Sequence, residues 1–566
     1  MFSKVTGIKQ KEDFQIWFTK NYPSQSALIK YKKESNSFSY QPKISIVIIL
    51  FENTNFIIQT IESIQKQIYS NWEIIITTPN STTAETREKL ELITKNNPKI
   101  YWIQNSDCEN NFEAANHSIN KSTGDYISIL NTNDCISPDT LFQIAKAINS
   151  NRDTDFIYVD EDKIDAHKLH SSPYFKSDWC ADNLLSRNYI GTFITATAEL
   201  LKTNNGFNSE LKEAAHYDLN LRLTEKAKYI HHIPNLLHHQ FFKIEKSSDN
   251  HKKAIENALN RRGKKGIAKP IHDLVNCFEV RYEMEAIKKV SVIIPTKNKA
   301  DLCETILSSI FSLTDYPNYE VILINNNSDE ESFFELVKKW KNKEPQRFKC
   351  IHDNDYFNYS RLMNEGAKAS NGDYILLLNN DMEILHADWM KAMVEYAQQK
   401  EIGVVGAKLF YPNDTIQHAG VVIGMGGVAA DHVFVGFDRN ADGYFGQLKC
   451  ITNYSALTAA CLMIRKEVFD EVNGFEEQLA VEFNDVDFCL KIKDKGYRNI
   501  YLPHVYLYHF ESISRGHPQK TLKSYKQHVK DVAFFKSKWE KYIVHDPCYN
   551  KNLSILYRDY RLNIHD

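Results

Sequence analysis

The sequence predicts an α/β protein of two tandem domains, each built on a mostly parallel sheet. A chain of 566 residues is too long for one hydrophobic core. Two segments about 247 residues apart repeat the same order of features. Residues 43–50 (KISIVIIL) and 289–296 (KVSVIIPT) are continuous apolar, β-branched runs, the pattern of a strand buried on both faces of a parallel sheet.

The features that follow each run keep the same order. A helix-like stretch comes next, IIQTIESIQKQI or LCETILSSIFSL, and then a second strand pattern that ends in a polar turn at Thr78 or Asn325. A third strand with a polar end matches between STGDYISILNTND and SNGDYILLLNNDM. Two homologous α/β domains are therefore expected. The predicted segments are a helical N-terminal extension (1–42), a first domain (43–240), a helical linker (241–288), a second domain (289–516) and a helical C-terminal extension (517–566).

Composition is that of an ordinary globular protein, with 42% hydrophobic and 25% charged residues. A net charge of -3 provides no field for binding nucleic acid, so no nucleic-acid partner is expected. The ten cysteines show no C-x-x-C pair and are expected to be reduced. Without a signal-peptide pattern or a run of roughly 20 apolar residues, the expected location is cytoplasmic, at most peripheral at the inner face of the cell membrane.

One C-terminal stretch, TLKSYKQHVKDVAFFKSKWEKYI, has helical apolar spacing and is mildly basic. Such a helix could bind a membrane surface, but packing against the protein is the favoured interpretation.

Polar turns at the carboxyl ends of the strands are where a ligand site is expected in an open α/β sheet. In the second domain Asn325 ends one strand, and Asn379, Asn380 and Asp381 end the next. A carboxylate there could hold Mg²⁺ or Mn²⁺, which bind oxygen ligands and retain waters and substrate phosphates. Asn and Asp also initiate turns, so this triplet alone is a weak signal.

A second cluster about a hundred residues later strengthens the prediction. Asp485 and Asp487 stand just before an amphipathic helix, and His509 follows the aromatic stretch VYLY. Acidic residues in a first helical turn can simply favour the helix dipole, and a lone histidine is more often packed than ligating. The polar strand ends, the acidic pair and the histidine occur in one domain, and together they favour a metal-assisted site.

The second half of the chain resembles family 2 glycosyltransferases of the GT-A fold, of the type that assembles O-antigen and rhamnan polysaccharides. The matching motifs are VSVIIPTKNKADL, YEVILINNNS, FNYSRLMNEGAKASNGDYILLLNND, TIQHAGVVIG, NYSALTAACLMIRKEVFDEVNGFEE, FNDVDFCLKIKDKGYR and LYHFESISRG. They run in order from about residue 290 to 516, and such an ordered series is far more specific than any single motif.

This resemblance implies a nucleotide-diphosphate sugar donor, Mg²⁺ or Mn²⁺ as cofactor, and an acceptor hydroxyl that attacks with inversion. Asp485 is then the base, and Asp381 and His509 position the metal. Asn379 stands at the first acidic position of the family's D-x-D, and Asn325 stands where the family often has Asp. The implied nucleotide-binding residues are Pro295, Thr296, Asn325, Asn364, Asn379 and Asn380. The implied residues of the donor and acceptor pocket are Ser455, Thr458 and Asp487.

The first domain is similar to the same family from about residue 43 to 240, but its active positions differ. Asn133, Thr78 and His216 stand opposite Asp381, Asn325 and Asp485. It is therefore expected to be degenerate, because a metal site tolerates little positional error. The acidic and histidine residues that remain could rebuild a shifted second site from Asp134, Asp218 and His238.

The expected function is transfer of a sugar, with L-rhamnose as a candidate, to a polysaccharide or lipid-linked oligosaccharide in cell-surface glycan synthesis. Two alternatives stay open: an enzyme with both domains active, and a carbohydrate-binding scaffold. A nucleotidyltransferase is set aside because neither first strand is followed by a glycine-rich, lysine-containing triphosphate loop.

Overall fold

The structure is a computed structural model, and it describes residues 2–50, 56–79, 81–95, 97–165, 167–241, 247–427, 429–510 and 522–564. Two helices come first, α1 (Phe2–Asn21) and α2 (Gln25–Asn36). The first domain follows with β1 (Ile44–Ile49), α3 (Ile57–Gln65), β2 (Trp72–Thr78), α4 (Ala84–Lys95), β3 (Ile100–Gln104), α5 (Asn111–Lys121), β4 (Tyr126–Asn131), β5 (Cys135–Ile136), α6 (Thr140–Ser150), β6 (Phe156–Ile164), β7 (His170–Tyr174), α7 (Ala181–Ser186), β8 (Ile194–Thr197), α8 (Ala198–Thr203), α9 (Ala215–Thr224) and β9 (Ile230–Phe241).

A connecting segment contains α10 (Asp249–Arg261), β10 (Gly266–Pro270) and β11 (Phe278–Tyr282). The second domain has β12 (Val290–Thr296), α11 (Ala300–Leu313), β13 (Tyr319–Asn326), α12 (Glu331–Lys343), β14 (Phe348–Asp353), α13 (Tyr359–Ala369), β15 (Tyr374–Leu378), β16 (Met382–Ile384), α14 (Trp389–Ala397), β17 (Ile402–Phe410), β18 (Ile416–His418), β19 (Val421–Ile423), β20 (Ala430–His432), β21 (Thr452–Asn453), β22 (Cys461–Arg465), α15 (Lys466–Glu471), α16 (Asn484–Asp494) and β23 (Arg498–His509). The long helix α17 (Leu522–Val544) precedes the C-terminal tail.

The two large sheets share one strand order, which confirms the predicted α/β repeat. The first runs β3-β2-β1-β4-β8-β6-β9-β5, and the second runs β14-β13-β12-β15-β22-β17-β23-β16. In each, the first strand of the domain lies between the second and the fourth, the third pairs with the second, and all these pairs are parallel. The next strand, β8 or β22, joins the fourth antiparallel. β1 and β12 are buried along their whole length, as continuous β-branched runs require.

The linker differs from its prediction as a purely helical segment. After α10, strands β10 and β11 pair antiparallel, with Gly266 opposite Tyr282. Phe278, Val280 and Tyr282 alternate with more exposed residues, so their period of two fits a strand with one packed face. The basic residues of the segment obscure this alternation in the sequence.

The C-terminal segment packs against both domains. Phe535 and Trp539 on α17 are buried, which confirms the packing interpretation for the apolar face of this helix. In the tail, the side chain of Asn550 donates to Asp160 of the first domain at 2.9 Å. The domains also contact each other directly, since Arg498 pairs with Asp182 at 2.7 Å. None of the helices in the described ranges combines the length and hydropathy that a bilayer crossing needs.

Candidate active site

Polar residues at the carboxyl ends of β12, β13 and β15 meet at one edge of the second sheet. Thr296 ends β12 and lies in register with Asn325 on β13. The amide of Asn380 donates to the Thr296 hydroxyl at 2.9 Å, and both residues are buried. Parallel neighbouring strands end together, so this convergence follows from the sheet topology. The structure thus brings together three of the residues predicted to bind the nucleotide.

Asp381 and His509 lie side by side because β16 pairs antiparallel with β23. Met382 is in register with His509, and the Asp381 Oδ1 atom is 3.2 Å from the His509 Nε2 atom. The Nδ1–H of His509 donates to Gln417 at 3.1 Å, and the Asn379 amide approaches Nε2 at 3.4 Å. With Nδ1 bonded to Gln417, Nε2 is the nitrogen of His509 that faces Asp381 and could bind a metal.

The donor set fits a divalent cation. Asp381 and His509 would hold the ion through one carboxylate oxygen and one imidazole nitrogen, and two protein ligands leave positions for water and phosphate oxygens. Gln417 would fix the ring of His509, as partners of metal-binding histidines usually do.

Asp485 joins this cluster through one short loop. It stands in the first turn of α16, and its Oδ2 atom accepts the backbone N–H of Ala459 at 3.2 Å. The next residue, Ala460, accepts the backbone N–H of Asn379 at 3.0 Å. Asp485 is half-buried, and Thr458 in the same loop as Ala459 is also half-buried. The predicted base and the predicted metal residues therefore share one hydrogen-bonded framework.

Two residues assigned to the donor and acceptor pocket have structural roles instead. Asp487 is fully buried, and its Oδ1 atom accepts the indole N–H of Trp539 at 2.8 Å and pairs with Lys538 at 2.7 Å. Ser455 is also fully buried and donates to Asp546 of the tail at 2.5 Å. Both predictions for the pocket are corrected, because these side chains fasten the C-terminal segment and present no surface to a ligand.

Asn364 was assigned to the nucleotide by resemblance, but it clamps a turn. Its amide accepts the N–H of Phe475 at 2.8 Å and donates to the carbonyl of the same residue at 3.1 Å. In the first domain Asn116 does the same to Phe207, at 2.7 and 2.8 Å. A side chain on the preceding glycine would collide with the asparagine in both copies, and this glycine has positive φ in each. The clamp is common to both domains, and a contact of Asn364 with a nucleotide stays a prediction.

The matched clamps lead to a stability prediction. Replacing Asn364 or Asn116 by Ala leaves the N–H and the carbonyl of the following Phe475 or Phe207 without their partner. Each variant should lose about 1–3 kcal/mol of unfolding free energy, measured by urea denaturation. Calorimetric affinity of the folded Asn364→Ala variant for nucleoside diphosphates should match wild type. A selective loss of nucleotide affinity without loss of stability would support the contact with a nucleotide.

Pro295 and Asn325 keep the strand-end positions predicted for them. Pro295 is buried in β12 opposite Ile324. The Asn325 amide contacts His352 at 3.0 Å and accepts the N–H of Ser328 at 2.9 Å, so its side chain shapes the turn after β13. Their contact with a nucleotide stays a prediction.

Sequence reasoning missed Gln417 and its neighbour His418, although TIQHAG was among the motifs. His418 is fully buried and contacts His432 ring to ring, with 2.8 Å between the Nδ1 atoms. Burial, together with the charges of His432 and His509, holds the pKa of His418 well below its usual value. It is a neutral histidine that packs behind the site. The pairing of β18 with β17, visible only in three dimensions, places both residues there.

The first domain arranges its remaining residues differently. His238 lies between Asp134 at 3.1 Å and Glu161 at 3.4 Å. Burial opposes the charge of His238, but the hydrogen bonds to these carboxylates outweigh it and raise its pKa to about 9. Asp218 pairs with Arg222 at 2.7 Å, in an ion pair separate from that group.

Strand register explains the difference. Ile136 pairs with His238 in the first domain, whereas Ile384 at the matching position pairs with Leu507 in the second. His238 therefore corresponds to Leu507, and the counterpart of His509 is Gln240. The prediction that Asp134, Asp218 and His238 rebuild a metal site is corrected, because Asp218 pairs with Arg222 and the three residues do not form a group within ligand distance. Among the described residues, the one group of three that could hold an ion is Asp162, His170 and His239.

Comparison with known proteins agrees with this architecture. The family described as Glycosyl transferase family 2 matches residues 45–203 and 291–472, together more than half of the chain. The uncharacterized protein y4gI of Sinorhizobium fredii is 34% identical over 536 residues, covering 92% of this chain and 59% of that protein. The O-antigen biosynthesis protein RfbC of Myxococcus xanthus is 30% identical over 514 residues, covering 89% and 40%. The chain thus spans about 59% and 40% of the lengths of these two relatives.

Two solved structures are similar to parts of the chain at low identity. A mannosyltransferase from Pyrobaculum calidifontis in complex with GDP-Man and Mn²⁺ has a TM-score of 0.33 and 17% identity, covering 45% of this chain and 65% of that one. GalNAc-T7 with UDP, GalNAc and Mn²⁺ has a TM-score of 0.39 and 14% identity, covering 49% and 53%. On the family match to segments of both sheets, the chain belongs to glycosyl transferase family 2.

Proposed function

We propose that the second domain transfers a sugar, with inversion, from a nucleotide-diphosphate donor to a hydroxyl of a polysaccharide or lipid-linked oligosaccharide. The observation that carries this proposal is the framework linking Asp485, Asn379, Asp381 and His509 through the loop at Ala459. The name of the relative RfbC supports a polysaccharide acceptor.

Asp485 is the group that accepts the proton of the acceptor hydroxyl. Its Oδ2 atom is oriented by the N–H of Ala459, and this half-buried residue would contact a bound hydroxyl. As the acceptor oxygen attacks the anomeric carbon from the face opposite the diphosphate, a carbon–oxygen bond forms, and the bond to the diphosphate breaks. The nucleoside diphosphate leaves with the electron pair, and Asp485 later returns the proton to solvent.

A Mg²⁺ or Mn²⁺ ion held by Asp381 and His509 would neutralise the charge that develops on the diphosphate leaving group. Gln417 keeps the imidazole oriented, so the ligand geometry is set before the donor binds. Thr296, Asn325 and Asn380 border the edge where the nucleotide of the donor would lie.

In the first domain we propose a supporting role without catalysis. His238 lies at the level of Leu507, so the pair of Asp134 and His238 does not reproduce the arrangement of Asp381 and His509. Gln240 takes the place of the ligating His509, and no acid stands at the position of Asp485, where this domain has His216.

A donor screen on the full chain tests the proposal. The panel would contain UDP-, GDP- and dTDP-sugars, including dTDP-L-rhamnose because of the family resemblance, each with and without Mn²⁺ and with oligosaccharide acceptors. We expect metal-dependent transfer from one donor, with inverted anomeric configuration of the product by NMR. Binding of glycans without hydrolysis or transfer of any donor would contradict the proposal and favour a carbohydrate-binding scaffold.

A further inference from the structure

We propose that the first domain binds one transition-metal ion of the zinc class at Asp162, His170 and His239. These residues lie on three strands, β6, β7 and β9, and strand pairing brings them together. Asp162 is in register with His239, and His170 pairs with Ile164 two residues further along β6. One ligand atom from each residue lies within 4.8 Å of the others. The cluster is separate from the carboxylate and histidine pair of the second domain.

The geometry fits a small tetrahedral ion. The Nδ1 atom of His170 is 2.8 Å from Oδ2 of Asp162, and Nδ1 of His239 is 2.7 Å from Oδ1. Zinc bonds of about 2.0–2.1 Å place neighbouring ligand atoms roughly 3.3 Å apart. The three ligand atoms lie within 4.8 Å of one another, so the two imidazoles would have to move closer together as the ion binds. Water can supply the fourth ligand, because His170 is partly exposed.

The surroundings hold the ligands in place. The side chains of Asp162 and His239 are almost completely buried, and the ring of His170 stacks on Phe18 with 4.1 Å between centroids. Among the described residues, the buried Nε2 atom of His239 has no hydrogen-bond partner. The polar interactions of that imidazole thus depend on its Nδ1 side, where the ion would lie. A pair of imidazoles already turned toward one carboxylate needs little reorganisation to bind a metal.

Ligand chemistry selects the class of ion. Two imidazole nitrogens with a single carboxylate suit Zn²⁺ and similar transition metals, whereas Mg²⁺ and Ca²⁺ prefer sets made of oxygen atoms. Phe18 and Tyr22, whose rings contact His170, also line a cleft of about 170 Å³ beside α1.

A bound ion would join three parts of the first domain. It would tie the β6–β7 hairpin to β9, and also to α1, because Gln15 on α1 donates to the backbone carbonyl of His170 at 2.8 Å. In the second domain the matching hairpin, β17–β18, carries Gln417, which orients His509. The same hairpin would therefore support a catalytic site in one copy and a structural ion in the other.

Zinc titration of the EDTA-treated full chain tests this proposal, with calorimetry for binding and elemental analysis for stoichiometry. His170→Phe keeps the stacking ring but removes both nitrogens, and Asp162→Asn provides a second, nearly isosteric variant. His272→Phe is the matched control, because His272 is an exposed histidine that also faces a carboxylate, on Asp273.

We expect wild type and His272→Phe to bind one more equivalent of Zn²⁺ than the two cluster variants. Zn²⁺ should raise the Tm more in wild type than in either cluster variant, and excess Mg²⁺ should not displace it. Circular dichroism identifies which variants are folded, and His170→Phe is at a partly exposed position where folding should persist. Equal zinc stoichiometry in wild type and a folded cluster variant would overturn the proposal, as would the absence of zinc binding by wild type.

Discussion

Replacing Asp485 by Asn should lower kcat for sugar transfer by roughly 10²- to 10⁴-fold, the usual contribution of a general base. Asparagine keeps the size of the side chain and its oxygen can still accept the N–H of Ala459, so the loop should hold its position. What it loses is the ability to take the acceptor proton. Donor affinity, measured by calorimetry with the nucleoside diphosphate and Mn²⁺, should stay close to that of wild type.

Asp494 provides a control on the same helix. Its carboxylate pairs with Lys541 at 2.8 Å at the far end of α16, and an exposed ion pair of this kind contributes little to stability. Asp494→Asn should therefore retain wild-type kcat. Full donor-dependent transfer by the Asp485 variant would remove that residue as the base. If Asp485→Asn and Asp494→Asn lose kcat to the same extent, the cause is damage to α16 and not the loss of a catalytic base.

How much of the fold and the site the sequence predicts depends on how far apart in the sequence the interacting residues are. The repeat, the buried strands and their polar ends are local patterns, so β12, β13 and β15 and the residues Thr296, Asn380 and Asp381 could be predicted. The strand order of the second sheet then brings Asp381 to His509, as the ordered motifs implied.

Partners distant in sequence account for what the sequence could not predict. Asp487 and Ser455 looked like pocket residues until the C-terminal segment, with Trp539 and Asp546, packed onto them. Asn364 was assigned to the nucleotide by resemblance. The turn at Phe475 that it bonds lies more than a hundred residues away in the sequence, so the motif around Asn364 does not reveal this contact. Each side chain belongs to a motif that matches the family, but a motif does not reveal which distant group the side chain will bond.

Strand register is a second limit. Counting acidic and histidine residues in the first domain suggested a shifted metal site with His238. The pairing of Ile136 with His238 places that ring at the level of Leu507, so a residue type was matched to the wrong structural position. A shift of two residues along β9 preserves the face of the sheet, which is why alternation alone did not reveal it.

The asymmetry between the domains gives the second large expected effect. Replacing Asp381 by Asn should reduce metal-dependent transfer by roughly 10²- to 10³-fold, because a metal that stabilises transition-state charge contributes several kcal/mol. The loss should appear together with weaker binding of Mn²⁺ and nucleotide, since Asp381 is the carboxylate beside His509. Steady-state transfer assays at several Mn²⁺ concentrations would separate lost affinity from lost rate.

Asp134→Asn in the first domain is the matched comparison, and its effect should fall on stability. Removing this carboxylate leaves the buried His238 with Glu161 alone, which should cost about 1–3 kcal/mol of unfolding free energy, while transfer at a temperature where the chain is folded stays near wild type. If Asp134→Asn instead abolishes one of two product linkages, both domains are catalytic. Loss of all transfer in both variants would mean that the first domain contributes directly to one shared reaction. A rate that depends on Asp381 and is independent of Asp134 is the result expected of a silent first domain, because Gln240 stands there at the position of His509.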